Sequence, residues 1–564
     1  MLNKNYYRPL IILLLSVICA FSIAAQPAKK KSSRERTYDV QHYTIRISFD
    51  RENKIIFGDS IVQLKPLKNN FNRIELDAAD MRFESVQFES GNKDIPFKTT
   101  DDKIYLTLDK SYSTKDLISV RFKYSASPRK GVYFVRQNAP NDGVEHPAQI
   151  WTQGEPEEAH HWFPSYDFPD DKATSEQFIT VESSETAIGN GELQDEKRNA
   201  DGTKTYHFNM AVPHSTYLTS FVVGTYTKIS DSYKNIPLGF YTYLGREELG
   251  RKSNSQTKEM MRVFEELTGV NYPYNKYDQT IVANFEFGGM ENITATTMAD
   301  TEMFLSLPNQ VEDLISHELA HSWFGNMVTC KNWSELWLNE GFATYMEAAL
   351  REKIYGREDY LRKIRENAEE FRTDDAVNKN RHGLYNLTAR PDKSLFDVTT
   401  YQKGGVVIHS LRETVGTENF WKAVNIYLTR HKFQSVETRD LQNVMEEVSK
   451  IKLDWFFNQW IYGGGYPKLK VEQVYNSQTK RLNLNIKQTQ DSDKLTPEAF
   501  ILPMEVEITT SKGIKAEKLQ IKNREENFSI KLDEAPTTVI FDKNLKIPLK
   551  QIKLSQLKIS DSGG

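Results

Sequence analysis

The sequence predicts a multidomain α+β protein with an all-β N-terminal domain, a mainly helical middle domain and a small C-terminal β-sandwich. Two changes of pattern predict this order. Short runs of alternating apolar and polar residues extend to about residue 230, and helical spacing takes over near residue 250. Alternation then returns after Gly463-Gly464-Gly465. With 564 residues, the chain is long enough for about three or four such domains.

The first residues predict export. Lys4 and Arg8 precede an apolar run that closes with Ala24 and Ala25, which is typical of a signal peptide over residues 1–25. The run is short for a membrane span, although an uncleaved N-terminal anchor is an open alternative. Residues 26–36 are basic and predict a flexible lead-in. We therefore expect a protein that is periplasmic or secreted if bacterial, with no obligatory membrane partner.

The composition excludes some classes of partner. A net charge of −4 and the lack of a basic, aromatic-rich cluster argue against a nucleic-acid partner. Once the predicted signal peptide is removed, Cys330 is the one remaining cysteine, so no internal disulfide can form. We expect Cys330 to pack as a small hydrophobic residue. No feature of the sequence indicates the oligomeric state.

The β domain is predicted over residues 37–233. Tyr43, Ile45, Ile47 and Phe49 alternate with polar residues, as in a half-buried strand, and similar short runs follow between Gly-, Asn- and Asp-rich turns.

The helical domain is predicted over residues 234–465. Four apolar residues early in the domain recur at helical spacing and are predicted core positions: Met260, Met261, Phe264 and Leu267. One strand is predicted to interrupt the helices, at Thr280 to Phe285. Alternation predicts a β-sandwich over residues 466–552, and a polar tail completes the chain at residues 553–564.

The pattern that organises the helical domain is His317-Glu318-Leu319-Ala320-His321. Two histidines four residues apart lie on the same face of a helix, where both imidazoles reach one divalent metal ion, and imidazole suits zinc. Glu318 points to a neighbouring stripe and is placed to reach a metal-activated water. The alternative is a buried helix with two core histidines, but their polar groups would then lack partners.

Glu340 is the predicted third ligand. We expect the first helix to end near Gly325-Asn326 and a second helix to start at Trp333, which returns Glu340 to the depth of the histidines. Two histidines, one glutamate and one open position form a catalytic zinc site, with one Zn²⁺ per chain. A three-histidine site would need Gly and His where the chain has Phe324 and Met327.

Three further stretches each have an ordinary structural explanation when taken singly. They are a glycine turn at Phe287 to Asn292, a turn at Thr152 to Pro156 and a helix start at Thr400 to Gly404. Together with the zinc pattern, they make the chain resemble the aminopeptidase N family of gluzincin zinc metallopeptidases, peptidase family M1. The family motif Gly-x-Met-Glu-Asn matches Gly288 to Asn292, and Tyr-x-Lys-Gly matches Tyr401 to Gly404.

The resemblance implies a fold, an activity and a set of site residues. It implies a saddle-like all-β N-terminal domain, a thermolysin-like, mainly α catalytic domain and a following β-sandwich. The activity would be a zinc metallo-aminopeptidase, acting on peptides that have a free N-terminus. The implied substrate-binding residues are Gln153, Glu155, Phe287, Gly288, Gly289, Met290, Glu291 and Asn292.

A mechanism follows from the resemblance. Zinc would lower the pKa of a bound water towards about 7, and Glu318 would take its proton. Tyr401 would help zinc to stabilise the oxyanion. Glu291 and Glu155, with help from Glu340, would hold the substrate ammonium group. Phe287 and Gln153 would line the pocket for the first side chain, where the bulky phenylalanine favours smaller residues.

The chain also departs from the family pattern. It stops after the predicted sandwich, so we expect a short form without the C-terminal helical domain of many members. Gly289 replaces a commoner alanine, as in the arginyl-aminopeptidase and leukotriene-epoxide hydrolase branches, which leaves a dual epoxide hydrolase and aminopeptidase as an alternative. A thermolysin-like endopeptidase is disfavoured by the Gly288 to Asn292 motif. An inactive binding or scaffold protein is disfavoured because every ligand and the base are present.

Overall fold

A computed structural model describes residues 34–139, 143–378 and 380–561. The predicted signal peptide and most of the predicted lead-in lie outside these ranges. Residues 34–36 lie inside them and contact the β domain. Arg36 Nη2 lies 2.8 Å from the buried carboxylate of Asp171, and the Arg34 guanidinium lies 4.2 Å from the ring centre of Tyr166.

The N-terminal part contains three sheets. The apolar residues of the two larger sheets are buried in one continuous core. The seven strands of the largest sheet, in spatial order, are Glu192–Arg198, Thr203–His214, Ala173–Glu182, Tyr38–Asp50, Ile55–Pro66, Ile118–Ala126 and Met81–Phe88. The four-stranded sheet has the order Thr186–Gly189, Phe221–Gly224, Gln149–Thr152 and Val132–Val135. A three-stranded sheet has the order Phe71–Asp77, Lys103–Tyr112 and Phe97–Thr99.

A five-stranded mixed sheet opens the catalytic part, where the sequence predicts one strand. Its strands are, in spatial order, Thr227–Tyr233, Ile236–Thr242, Tyr277–Val282, Ala295–Ala299 and Gly289–Met290. The predicted strand at Thr280 to Phe285 is therefore displaced to Tyr277–Val282. Thr227–Tyr233, which the prediction assigns to the β domain, pairs within this sheet. The two-residue strand Gly289–Met290 sits at its edge and carries the glycine-rich segment towards the site.

Ten α-helices occur in the described residues. They are α1 Glu247–Ser253, α2 Thr257–Thr268, α3 Asp300–Leu305, α4 Pro308–Ala320, α5 Trp337–Tyr355, α6 Arg357–Asp375, α7 Gly404–Val415, α8 Thr417–Arg430, α9 Thr438–Ser449 and α10 Asp454–Trp460. The predicted core positions of α2 are all buried, and so is Cys330 in the short strand Thr329–Cys330, which pairs with Ser435–Val436. None of the helices in the described ranges is both long and apolar enough to cross a membrane.

The C-terminal part forms two sheets around a buried apolar layer. One contains Glu525–Lys531, Arg481–Gln488, Lys468–Asn476 and Gln551–Leu554, and the other contains Gly513–Ile521, Leu502–Thr510 and Thr538–Phe541. The alternating burial of Lys468–Asn476 and Arg481–Gln488 follows the period of two that the sequence predicts. Lys558–Ser560, inside the predicted polar tail, also pairs with Lys468–Asn476. The mixed α+β class with its three parts is therefore confirmed.

Candidate metal centre and active site

The two histidines and Glu340 meet between α4 and α5. His317 is in the last turn of α4, and His321 follows its final residue with helical angles, φ −57° and ψ −23°. Glu340 is in the first turn of α5. Glu340 Oε2 lies 3.3 Å from His317 Nε2 and 3.4 Å from His321 Nε2. The helix ends earlier than predicted because the chain turns back at once, with the Asn326 amide donating to the His321 carbonyl at 2.9 Å.

The outer ring nitrogens fix the orientation of both imidazoles. His317 Nδ1 donates to Glu347 Oε1 at 2.8 Å, and His321 Nδ1 donates to the Phe324 carbonyl at 2.9 Å. In the neutral rings, the lone pairs of both Nε2 atoms then face the carboxylate of Glu340. The two nitrogens and the carboxylate are all hydrogen-bond acceptors, so they cannot bond to one another. A cation among them satisfies all three, and two imidazoles with one carboxylate are typical zinc ligands. The residues present therefore fit a zinc ion.

The raised pKa values of the two histidines also indicate that this site favours a positive charge. Burial lowers the pKa of His321, but the carboxylates of Glu291 and Glu340 outweigh burial and raise it to about 9. The pKa of His317 is likewise raised, because Glu340 and Glu347 outweigh its burial. Four buried carboxylates surround this point, and in the described part of the chain no lysine or arginine pairs with them; they are Glu155, Glu291, Glu318 and Glu340.

Glu318 lies against the backbone of Gly289. A Cβ atom at Gly289 would be 2.2 Å from Glu318 Oε1, so the glycine gives the carboxylate its room. Glu318 Oε2 is buried and has no hydrogen-bond partner among the described residues. Burial raises the pKa of Glu318 to about 8, and a cation bound nearby would lower it again. The group is thus held close to the metal ligands and remains free to exchange a proton.

Glu155 and Glu291 form one end of the site. Glu291 Oε1 lies 4.0 Å from His321 Nδ1, and oxygens of Glu155, Glu291 and Glu340 all lie within 4.8 Å of one another. Burial, then mutual repulsion, raises the pKa of Glu155, and burial also raises that of Glu291. Oε1 of each is buried without a hydrogen-bond partner in the described ranges. Unpaired buried carboxylates are costly, so this end is built for a positively charged ligand.

The other predicted binding residues line the cleft, with one exception. The cleft has a volume of about 440 Å³ and includes Gln153, Phe287, Gly288, Gly289 and Met290 among its lining residues. Gln153 Nε2 contacts Met290 Sδ at 3.2 Å, while Gln153 Oε1 is unpaired within the described residues.

Asn292 is the exception, and its role in substrate binding stays a prediction. Its side chain is fully buried outside the cleft lining and donates from Nδ2 to Thr297 Oγ1 at 3.0 Å. Asn292 therefore supports the strand Ala295–Ala299, in which Thr297 lies, while its Oδ1 atom is buried without a hydrogen-bond partner among the described residues.

Tyr401 approaches from a π-helical turn, Thr399–Lys403, that leads into α7. Its ring centre lies 5.8 Å from that of His317 with an interplanar angle of 20°. Burial and the carboxylate of Glu340 raise the pKa of Tyr401, so the phenol keeps its proton as a hydrogen-bond donor. The turn is held by Lys403, whose Nζ donates to the Gly463 carbonyl at 3.1 Å. Such π turns inside helices are frequent at functional sites.

The β domain reaches beneath the loop that follows the second histidine. Lys172 Nζ donates to the carbonyls of Asn326 at 2.9 Å and Met327 at 3.1 Å. Asn326 Nδ2 in turn donates to the Glu291 carbonyl at 2.8 Å. Burial lowers the pKa of Lys172 to about 7. One side chain of the β domain thus supports the loop after His321 and, through Asn326, the backbone of Glu291.

Known protein families match nearly the whole described chain. Residues 253–460 match the peptidase family M1 domain, and residues 39–218 match the peptidase M1 N-terminal domain. Residues 465–550 match a domain of unknown function with an Ig-like fold.

The chain belongs to peptidase family M1.

Relatives of this M1 chain are named as aminopeptidases. Aminopeptidase 2 of Candida albicans is 27% identical over 497 residues, which cover 84% of this chain and 52% of that protein. Glutamyl aminopeptidase of Bos taurus is 31% identical over 347 residues, or 59% of this chain and 36% of that protein. A probable aminopeptidase 2 of Sulfurisphaera tokodaii is 27% identical over 442 residues, 77% and 54% respectively. The chain spans from about a third to about half of the length of these relatives.

The sequence does not predict several residues that line or support this M1 site. Glu347 lies seven residues after Glu340, two helical turns along the same face of α5, and this spacing could have revealed it. Lys363 and Asn367 line the cleft from α6, and Phe396 lines it from the loop before α7. These three carry no local motif, because long-range packing brings them to the cleft.

Proposed function

We propose that this M1 protein is a zinc-dependent aminopeptidase that hydrolyses the N-terminal residue from peptides. The observation that carries the proposal is the unpaired carboxylate pair, Glu155 and Glu291, beside the predicted zinc ligands. A free α-amine has a pKa near 8, so most of it is an ammonium cation at neutral pH. Two carboxylates that lack cations therefore match a peptide N-terminus in charge and in hydrogen-bonding capacity.

The ammonium site fixes where the chain is cut. His317, His321 and Glu340 would hold zinc, which supplies a Lewis acid that activates water and polarises the scissile carbonyl. Glu291 lies beside His321, so a peptide held by its ammonium group presents its first carbonyl at the metal ligands. A longer N-terminal extension would carry its ammonium group away from Glu155 and Glu291 and would leave these carboxylates unpaired. This geometry favours an exopeptidase over the alternative of a thermolysin-like endopeptidase.

Glu318 and Tyr401 would carry the proton and the charge. Glu318 takes a proton from the attacking water at its free Oε2 and passes it to the leaving amine, a role typical of a general base. Tyr401 donates a hydrogen bond from its hydroxyl to the carbonyl oxygen as negative charge develops there. Because this set of groups is complete, the geometry favours an enzyme over an inactive scaffold. Gly289 makes room for Glu318, so it gives no separate support to epoxide hydrolysis.

The first side chain would enter an aromatic cavity next to the cleft. This cavity of about 450 Å³ shares Gln153, Glu155, Phe287 and Phe396 with the cleft and continues to Tyr133, Trp151 and Phe285. Phe287 forms one wall and packs 5.4 Å from Phe396 between ring centres. The space beyond it favours large apolar first residues, in place of the small ones that the sequence suggests.

A panel of aminoacyl fluorogenic substrates tests the proposal. We expect hydrolysis of free-amine substrates, fastest with phenylalanine or leucine, and no hydrolysis of their N-acetylated counterparts. Glu291→Ala should raise KM for the free-amine substrates, with a smaller effect on kcat. Equal cleavage of acetylated and free substrates would show that the carboxylate pair does not read the N-terminus. The loss of all turnover on zinc removal, and its return on zinc addition, should accompany the expected result.

A further inference from the structure

The contacts between successive side chains define a direction along the cleft. Five groups follow one another from the ammonium end, and each contact joins neighbours: Glu291 to His321 at 4.0 Å, His321 to Glu340 at 3.4 Å, Glu340 to His317 at 3.3 Å, and His317 to Glu347 at 2.8 Å. Lys363 Nζ then lies 2.8 Å from Glu347 Oε2. A peptide whose ammonium lies at Glu291 therefore extends its second residue towards α6.

This second end also contains buried polar atoms that lack partners. Asn367 and Thr344 both line the cleft, and their residues are 5% and 4% exposed. Neither Asn367 Nδ2 nor Thr344 Oγ1 has a hydrogen-bond partner among residues 34–139, 143–378 and 380–561. The side-chain amide of Asn367 offers an acceptor as readily as a donor once it rotates. Buried groups of this kind are built to meet a polar ligand.

The charge of this end is defined by α6. Lys363, Asn367 and Glu370 are spaced by four and three residues, so they share one face of the helix, and all three line the cleft. Lys363 is neutralised by Glu347 at 2.8 Å and by Asp313 at 2.9 Å. Asp313 also pairs with Arg351 at 2.8 Å. Glu370 is exposed and has no ion pair with any residue that the structure describes, so it gives this end a net negative charge.

We propose that Thr344, Asn367 and Glu370 form a subsite for the second residue of the substrate and that this subsite selects lysine or arginine. The inference rests on the proposed aminopeptidase function. A basic side chain would lay its methylene groups along Leu314, which is partly buried in the cleft wall. Its charged end would then reach the Asn367 amide oxygen and the Glu370 carboxylate. An aliphatic second residue would leave these polar groups unpaired, and an acidic one would be repelled by the Glu370 carboxylate.

The test uses tetrapeptides with one fixed first residue, phenylalanine, and a second residue that is lysine, leucine or glutamate. The released first amino acid gives kcat/KM for each peptide at low salt. We expect lysine to exceed leucine by roughly fivefold, since an exposed pair contributes modestly, and glutamate to be the poorest. Ratios within one enzyme preparation cancel any difference in folding or zinc loading.

Variants on the same helix assign the preference to the subsite. Glu370→Gln should bring the lysine-to-leucine ratio close to one, and Glu370→Lys should reverse the order of lysine and glutamate. Asn367→Leu should shift the preference towards leucine. Glu369→Gln is the matched control, because Glu369 is the neighbouring residue of α6 and does not line the cleft. Its ratios should equal those of the wild type.

The two proposals fail in different ways. If the wild type cleaves all three peptides with equal kcat/KM, or if its lysine preference survives Glu370→Gln, the subsite assignment is overturned while the aminopeptidase function stands. If no free-amine peptide is cleaved by the zinc-loaded protein, both proposals are overturned. A preference that both Glu370→Gln and Glu369→Gln reduce equally would reflect the general charge of α6 and would also overturn the assignment.

Discussion

Glu318 directly follows His317, yet its carboxylate lies against the backbone of Gly289, with one oxygen within 4.8 Å of a ring nitrogen of His321. Its Oε2 atom is buried without a partner in the part of the chain that the structure describes. A carboxylate held in this way can take up and release a proton with little movement. Burial raises the pKa of this carboxyl, His317 and His321 lower it, and the charges of Glu291 and Glu340 also raise it.

Replacing this one carboxylate should separate catalysis from metal binding. We expect Glu318→Gln to lower kcat by roughly 10²- to 10⁴-fold, because the amide cannot accept the proton of the attacking water. Zinc content, measured by atomic absorption after dialysis, should remain near one per chain, since His317, His321 and Glu340 are unchanged. A variant that loses zinc along with activity would place Glu318 among the metal ligands.

The sequence predicts the residues of this site when a short-range rule applies. His317 and His321 obey helical spacing, and Glu340 follows from two helices joined by a turn. Thr344 and Asn367 could not be predicted in the same way, because a threonine or an asparagine inside a helix is usually solvated or packed. Their lack of partners becomes visible only once the surrounding atoms are placed.

Helices α5 and α7 cross at Gly341 and Gly404. A Cβ atom at Gly404 would be 2.8 Å from Gly341 Cα, and one at Gly341 would be 3.0 Å from Gly404 Cα. The backbones therefore approach as closely as glycine permits. Gly341 follows Glu340, and Gly404 follows the π turn of Tyr401, so this crossing sets the distance between a metal ligand and the phenol.

Gly404→Ala should separate the two helices. The added methyl group has backbone as its neighbour, which cannot rotate away, so we expect a loss of about 1–3 kcal/mol in the free energy of unfolding. Because Tyr401 moves with α7, kcat should fall about tenfold or more at temperatures where the variant is still folded. Denaturant unfolding and kcat measured on the same preparation would distinguish the two effects. An unchanged kcat in a destabilised protein would show that the crossing does not position Tyr401.

Helices α4, α5 and α6 are joined by the contact of Glu347 with His317 and Lys363. Glu347→Gln should weaken zinc binding by about 10- to 100-fold, because the carboxylate orients the imidazole and raises its basicity. Competition with a chelator measures this affinity without any substrate. Glu352→Gln is the matched control, since Glu352 lies on the same helix and pairs with Arg412 at 2.6 Å, away from the metal site. Equal zinc affinity in the two variants would contradict the prediction.

The sequence predicts helices and strands best where one face of the helix or strand is exposed to solvent. The strand Tyr38–Asp50 and helix α2 show a period in the sequence because they alternate between core and solvent. The strands Tyr277–Val282 and Ala295–Ala299 are buried throughout, so they show no alternation, and most of the five-stranded sheet was not predicted. The parallel pairing of Ile236–Thr242 with Tyr277–Val282 also joins distant segments, which no local pattern can indicate.

The three parts of the molecule share buried contacts, and one of them responds to pH. His409 in α7 donates from Nε2 to the Leu545 carbonyl of the C-terminal part at 2.8 Å, and its Nδ1 accepts from the Tyr360 hydroxyl at 2.6 Å. Burial, helped by the nearby charges of Arg357 and Arg412, lowers the pKa of His409 to about 4. The folded protein therefore keeps this imidazole neutral.

Acid should destabilise the whole molecule through this histidine. Between pH 6.5 and 4, His409 is protonated in the unfolded chain but stays neutral in the folded chain. The free energy of unfolding therefore falls as the pH falls. The loss reaches about 3 kcal/mol at pH 4 for this group. His409→Gln should remove that part of the slope, measured as unfolding midpoints across the pH range. Parallel curves for the two proteins would contradict the prediction.

Lys172 has a consequence for how such a protein can evolve. Its ammonium group belongs to the β domain, yet it supports the loop of Asn326 and Met327, and Asn326 supports Glu291. The β domain and the catalytic domain therefore cannot be exchanged between relatives as independent modules. A chimera would need a matched pair, a lysine on one parent and the complementary loop on the other. Recombination within this family should consequently preserve the two segments together, and successful engineered swaps should keep Lys172 and its matching loop from the same parent.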